Sequence, residues 1–322
     1  MSIRTTLNPG MYHGWGKKPP FFEGWYFKLV SADGKQKVAV IPGVILGKDA
    51  HAFIQVLEGV SGKTAYHTFP MEVFQADPRK FAFLVGQNCF DGHGISLNTE
   101  SGEGRISGQI RFGRLNPWPV TLRSPGIMGW YAWVPRMECY HGVLSFDHPL
   151  EGELVLDGQL MDFGGGHGYI EKDWGQAFPE AWIWFQSNHF KGARACITAS
   201  VAIIPWMKSA FRGFIVGLWL DGSLHRFATY TGAQIESLEI MDADVKWVLR
   251  NRTHRLTLSP KRVEGGLLRG PSRVDMGRRV LETLNARVEV RLETLEGELV
   301  FEGTGEHSGL EVMGDLPRLV KG

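Results

Sequence analysis

Short runs of alternating apolar and polar residues, cut at roughly ten-residue intervals by glycine, proline, aspartate or asparagine, set the strongest limit on what this chain can fold into. Side chains on a β-strand point to opposite faces with a period of two, so such runs read as strands. EGWYFKLV, KVAVIPGVIL, AFIQVLEGV, GRISGQIRFG, GELVLDGQLMDF and FIVGLWLDGSLHRFATY show the pattern, and DVKWVLRNRTHRLTLSP and ARVEVRLETLEGELVFEG continue it. Asp33-Gly34, Asp91-Gly92, Asp157-Gly158 and Asp221-Gly222 supply the residues that tight hairpin turns need. Only residues 8–15, 75–80 and 274–283 are open to short helical or irregular structure, and no internal repeat marks a propeller or solenoid. The expected fold class is all-β, in two antiparallel β-barrel halves, because one ordinary barrel leaves strands over in 322 residues. The glycine cluster Gly164-Gly165-Gly166 places the seam, giving an N-terminal half over residues 1–165 and a C-terminal half over 166–322.

Composition narrows the function classes. A formal net charge of +1 with 43% hydrophobic residues supports a large core and lacks the concentrated basic surface of a nucleic-acid binder. Basic residues gather only at Lys261, Arg262, Arg269, Arg273, Arg278 and Arg279, where Glu264 and Asp275 interrupt them, which reads as a solvated face. Cys89, Cys139 and Cys196 are widely spaced without a CxxC pair, which fits a reducing compartment. The opening MSIRTTLNPGMYHGWGKKPP has no apolar stretch of secretory-signal length. Residues 196–220 are apolar enough to test as a membrane span, yet Pro205, Lys208 and Arg212 sit in their middle. A charge at a bilayer centre costs about 3 kcal/mol, so two strands joined by a loop over 205–212 account for the segment better. The expectation is a cytoplasmic protein, peripheral to a membrane if it meets one.

Three clusters set large aromatic side chains beside ionisable ones. In FFEGWYFK, alternation puts Glu23, Trp25 and Phe27 on one face, so Glu23 is either an inward site group or a rim charge. In GYIEKDWG, Tyr169, Glu171 and Asp173 share a face, with neighbouring carboxylates roughly 6.5–7 Å apart and Lys172 pointing away. Two such carboxyls, partly desolvated, raise one pKa and keep one acid protonated at neutral pH; a solvated turn pairing them with Lys172 or an arginine is the plainer alternative. In WIWFQSNHF, Trp182, Trp184, Gln186 and Asn188 share a face that suits either an apolar cavity with orienting amides or a barrel core. Indole faces also stabilise a developing cation.

His141 and His148 lie near Cys139, and His167 and His189 flank the acidic motif, but no HxH or HExxH spacing appears and no metal is expected. The glycines of 164–168 neither open a helix nor lead into Gly-Lys-Ser/Thr, and no Gly-x-Ser-x-Gly occurs, so phosphate-loop, dinucleotide and serine-hydrolase readings lack support.

FFEGWYFK, GYIEKDWGQAFPEAWIWFQSNHFKGA, GPSRVDMGRRVLETLNARVEVRL and GELVFEGTGEHSGLEVMGD, in that order, resemble the signature blocks of the tocopherol cyclase-like family. The resemblance covers nearly the whole chain, which is shorter than the plant members. It implies a lipocalin-like two-barrel fold, related to carotenoid hydratases, and an isoprenoid quinol as small-molecule partner. The implied reaction needs no cofactor: an acid protonates a trisubstituted alkene, and the phenol oxygen captures the tertiary cation to close a chromanol ring. Glu171 is then the expected general acid, with Asp173, Tyr169 and Glu23 as further catalytic candidates. Trp25, Trp174, Trp182, Trp184, Gln186 and Asn188 are expected to bind substrate. The plant motif carries an amide where Asp173 stands, which favours Glu171 as the acid. A hydratase or isomerase of isoprenoid lipids on the same scaffold, and a non-catalytic lipid-binding protein, are the alternatives.

Overall fold

Strand follows strand along nearly the whole chain in the computed structural model, which describes residues 2–321. Two units result: the chain up to Phe178 together with Gly266–Val280, and Pro179–Gly265 together with the chain from Leu281 onward.

The first unit holds β1 (Phe21–Val30), β2 (Lys37–Leu46), β3 (His51–Glu58), β4 (Thr64–Phe69), β5 (Phe74–Ala76), β6 (Ala82–Val85), β7 (Asn88–Asp91), β8 (Gly94–Ser101), β9 (Gly104–Phe112), β10 (Cys139–Leu156), β11 (Gln159–Asp162) and β12 (His167–Gly175). They form one sheet in the order β4-β3-β2-β1-β12-β10-β9-β8-β7-β6-β5, with β11 on β10. The sheet curls until His67 on β4 meets Ser101 on β8, with 2.8 Å between Nδ1 and Oγ. Its interior is aromatic: Trp25 stacks on Phe83 at 4.0 Å, and Phe27 lies 5.8 Å from Phe90 and 6.0 Å from Phe112. Burial on both faces explains why β1 reads as a near-continuous apolar run, broken by charge only at Glu23 and Lys28.

The expected seam at Gly164–Gly166 is corrected here. That turn feeds β12 back into the middle of the first sheet, where it pairs with β1 from Phe22↔Gly175 to Val30↔His167 and also with β10. Central strands cannot be shared out between two halves without breaking these ladders, so the chain first changes units at Phe178/Pro179, returns at Gly265/Gly266 and leaves again at Val280/Leu281.

The second unit holds β13 (Trp182–Ser187), β14 (His189–Phe190), β15 (Ala195–Trp206), β16 (Ser209–Leu220), β17 (Ser223–Ala228), β18 (Gln234–Ile240), β19 (Val245–Arg250) and β20 (His254–Lys261); β21 (Gly266–Gly270) belongs to the returning segment, and β22 (Arg278–Thr294) and β23 (Leu299–Met313) follow. The order is β17-β16-β15-β13-β23-β22-β20-β19-β18. Ile183, Phe185, Val216, Trp247, Leu258, Val288 and Val290 meet in its core. Alternation is plain in β22, where Ala286, Val288, Val290 and Leu292 are buried and Arg287 and Glu289 are exposed. The apolar stretch 196–220 is the hairpin of β15 and β16, turning at Met207-Lys208 between Trp206 and Ser209. No helix among the described residues is long and apolar enough to cross a membrane.

All four Asp-Gly pairs join consecutive strands. At Asp157-Gly158 (φ 51° and 85°) and Asp221-Gly222 (φ 46° and 90°) both residues are left-handed, as a type I′ turn requires. Of the segments left open, 8–15 is irregular, 75–80 begins inside β5, and 274–283 becomes strand from Arg278. The fold is all-β and lipocalin-like.

Candidate active site

The three central strands of the first sheet bring charge to both of their faces. Across β12, Asp173 lies opposite Gly24 of β1 and His141 of β10, Glu171 opposite Tyr26 and Val143, and Tyr169 opposite Lys28. Direct cross-strand partners share a face, so Tyr169, Glu171, Asp173 and His141 stand together. The Tyr169 hydroxyl donates to Glu171 Oε2 at 2.5 Å. His141 Nε2 lies 3.6 Å from the same Oε2, and His141 Nδ1 is 2.8 Å from Asp173 Oδ1. One imidazole thus bridges two carboxyl groups. Tyr169 and Glu171 are buried, and Asp173 and His141 are partly so.

Burial alone would drive the His141 ring towards its neutral form, but the charges of Asp173 and Glu171 outweigh it and raise the pKa to about 9. The cluster therefore holds a proton at neutral pH. Burial, followed by the charge of Asp173, pushes the neighbouring Cys139 thiol well up, so this cysteine stays a thiol. His141, Glu171 and Asp173 offer ligand atoms within 4.8 Å of one another. A divalent cation there would replace the His141–Asp173 hydrogen bond and expel the ring's proton.

On the opposite face, Lys172 points away from Glu171 as alternation requires, and its ammonium contacts Glu23 Oε1 and the Met11 carbonyl. It also donates to the Pro9 carbonyl at 3.0 Å and to His13 Nδ1 at 2.8 Å. The His13 backbone N–H donates to both Glu23 oxygens at 2.9 Å. Trp174 stacks on His13 at 4.2 Å, the Trp25 indole N–H donates to the Gly10 carbonyl at 3.1 Å, and the ammonium sits 4.7 and 4.8 Å from the Trp25 and Trp174 ring centroids. Burial pulls Lys172 down to about 8, with Glu23 opposing. This closed network pins the segment before β1 to the sheet. Glu23, Trp25 and Trp174 are thus separated from Glu171 by the sheet itself, and the structure does not bring them to the carboxyl cluster.

Trp182, Trp184, Gln186 and Asn188 lie in the second unit and share one face of β13 and the turn after it, away from the core that takes Ile183 and Phe185. That face is buried and polar. Trp182 donates from its indole to Glu311 Oε2 at 2.5 Å, Gln186 donates to Asn188 Oδ1 at 3.4 Å, and Gln186 Oε1, fully buried, has no hydrogen-bond partner. A surface depression of about 390 Å³ in this unit, lined by Phe190, Arg194, Asp221 and Phe301 among others, contains none of the expected residues.

The profile of the family described as tocopherol cyclase-like matches residues 115–314. The chain belongs to this family. It is 25% identical over 209 residues to the chloroplastic tocopherol cyclase of Zea mays, a stretch covering 61% of this chain and 43% of that protein. The chain thus spans less than half the length of this curated relative. Among solved structures, CghA superposes with a TM-score of 0.58 at 13% identity, over 92% of this chain and 89% of the other. Kievitone hydratase from Nectria haematococca superposes with a TM-score of 0.51 at 12% identity, over 94% of each chain. At these identities the likeness is one of fold.

Sequence reasoning missed His141 as a partner of the acidic motif. The two are 32 residues apart, and only the β10–β12 register brings His141 opposite Asp173. Its local signal was the alternation of CYHGV, which puts His141 on a strand without saying beside what.

Proposed function

We propose that this chain is a cyclase that closes a chromanol ring on a prenylated benzoquinol, with the Tyr169–Glu171–His141–Asp173 cluster as its proton source and sink. The observation that carries the reading is the His141 bridge: each ring nitrogen faces one carboxyl group, and the set retains a proton at neutral pH. His141 Nε2 hands that proton to Glu171, which passes it to the less substituted alkene carbon. The tertiary cation forms, the phenol oxygen attacks it, and the C–O bond closes the ring. The phenolic proton goes to Asp173 and returns through His141 to Glu171. Bonds and protons balance without an oxidant or reductant, so ring closure is an isomerisation. The 3.6 Å gap between His141 Nε2 and Glu171 Oε2 exceeds an ordinary N–H···O bond of about 3.0 Å by a small closing motion. Tyr169, donating to Glu171, holds the carboxyl in place.

The test is incubation with prenylated benzoquinols of varied ring methylation and chain length, followed by chromatography and mass spectrometry. Cyclisation leaves the mass unchanged and removes the oxidisable quinol; water addition would add one water, and a carrier would return the quinol intact. Glu171→Gln is expected to abolish turnover while lipid binding and folding persist. Wild-type rates in that variant would overturn Glu171 as the acid.

A further inference from the structure

The connection from β9 to β10, residues 113–138, is long for a link inside a compact domain, and its regular structure is confined to a 3₁₀ segment, Gly126–Trp133, kinked at Gly129. Within this connection Val120 and Pro125 form a β-bridge, and Thr121 and Ser124 exchange backbone hydrogen bonds at 3.1 and 3.2 Å. Leu122 and Arg123 are therefore the tip of a small hairpin, and Leu122 is 68% exposed. Trp133 stands beside the tip, its indole N–H donating to the Leu122 carbonyl at 2.9 Å while 36% of the residue faces water. Trp130, 46% exposed, follows the same turn and stacks on Tyr131 at 4.1 Å. No aspartate or glutamate occurs from residue 104 to residue 137, whereas Arg114, Arg123 and Arg136 are all exposed.

We propose that this hairpin and the Trp130–Trp133 turn are the surface by which the protein docks on an anionic lipid bilayer. Tryptophan prefers the boundary between headgroups and acyl chains, and an apolar tip gains by entering it. The Trp133 N–H is already bonded within the protein, so its ring enters an apolar medium without stranding a donor. The guanidinium groups meet lipid phosphates, and no carboxylate in the segment repels them. The loop lies outside the carboxyl cluster, so this inference stands or falls without the chemistry proposed above.

Sedimentation of the full chain with phosphatidylcholine vesicles, with and without phosphatidylserine, tests it. Binding is expected to the phosphatidylserine vesicles and to weaken with added salt. The double variant Leu122→Glu, Trp130→Glu should lower partitioning about tenfold or more, and Arg123→Glu should flatten the salt dependence. Met207→Glu, which alters a 95% exposed methionine in the second unit, should bind as wild type. Unaltered circular dichroism in each variant shows that the fold persists. Absence of binding to either vesicle, or a double variant that binds as well as wild type, would overturn the proposal. So would light scattering in which the double variant dissociates a dimer while vesicles go unbound.

Discussion

Lys172 and Asp173 are neighbours in sequence and end on opposite faces of β12, where they do different work. Lys172 is sealed with Glu23, His13 and two carbonyls. Removing one partner of such a pair leaves a charge buried without compensation, so Lys172→Ala should cost about 3–5 kcal/mol in a denaturant titration. A loss below ~1 kcal/mol would show that the network is hydrated or dispensable. Asp173 instead holds His141, whose pKa is raised from 6.5 to about 9. A raised histidine stabilises the fold fully below its unfolded pKa and loses that contribution as pH rises through the folded value. Both stability and the cluster's proton are therefore expected to fall between pH 6.5 and about 9. His141→Gln should remove this alkaline limb from the pH–rate profile and lower kcat, while substrate binding stays close to wild type. An unchanged limb would assign it to another group.

At the scale of elements, the strands and their turns were legible because period-two alternation and Asp-Gly pairs are local signals. Residues 196–220 show this well: proline and two charges in an apolar run mark a hairpin, and β15 and β16 form it. The seam was not legible. Gly164–Gly166 looks like a linker in sequence, but only pairing with β1 and β10 reveals that β12 belongs with strands far earlier in the chain. The site was half legible for the same reason: alternation grouped Tyr169, Glu171 and Asp173, and it could not say that Glu23 lies behind them or that His141 lies beside them. Glycines carry a similar non-local constraint. A Cβ on Gly43 of β2 would meet the Glu23 carbonyl oxygen and Phe53 Cζ, each at 2.5 Å. Gly43→Ala should therefore destabilise by about 1–3 kcal/mol, whereas Gly102→Ala, with open space around it, should be nearly neutral. Equal melting of the two variants would mean that β1 and β2 can part without cost.

For the molecule as a whole, an all-β scaffold places one proton-holding cluster on its first sheet and a buried indole-and-amide face on its second. In the reaction we propose, the cluster on the first sheet makes an alkene reactive with a proton, and no electrons are exchanged. Ring closure in heavy water, followed by mass spectrometry and proton NMR of the chromanol, tests this most directly. Wild type should place one deuterium on the ring methylene next to the carbon that bears the ether oxygen, and Glu171→Gln should yield no chromanol. A chromanol without deuterium at that position, or equal labelled product from Glu171→Gln, would contradict the account.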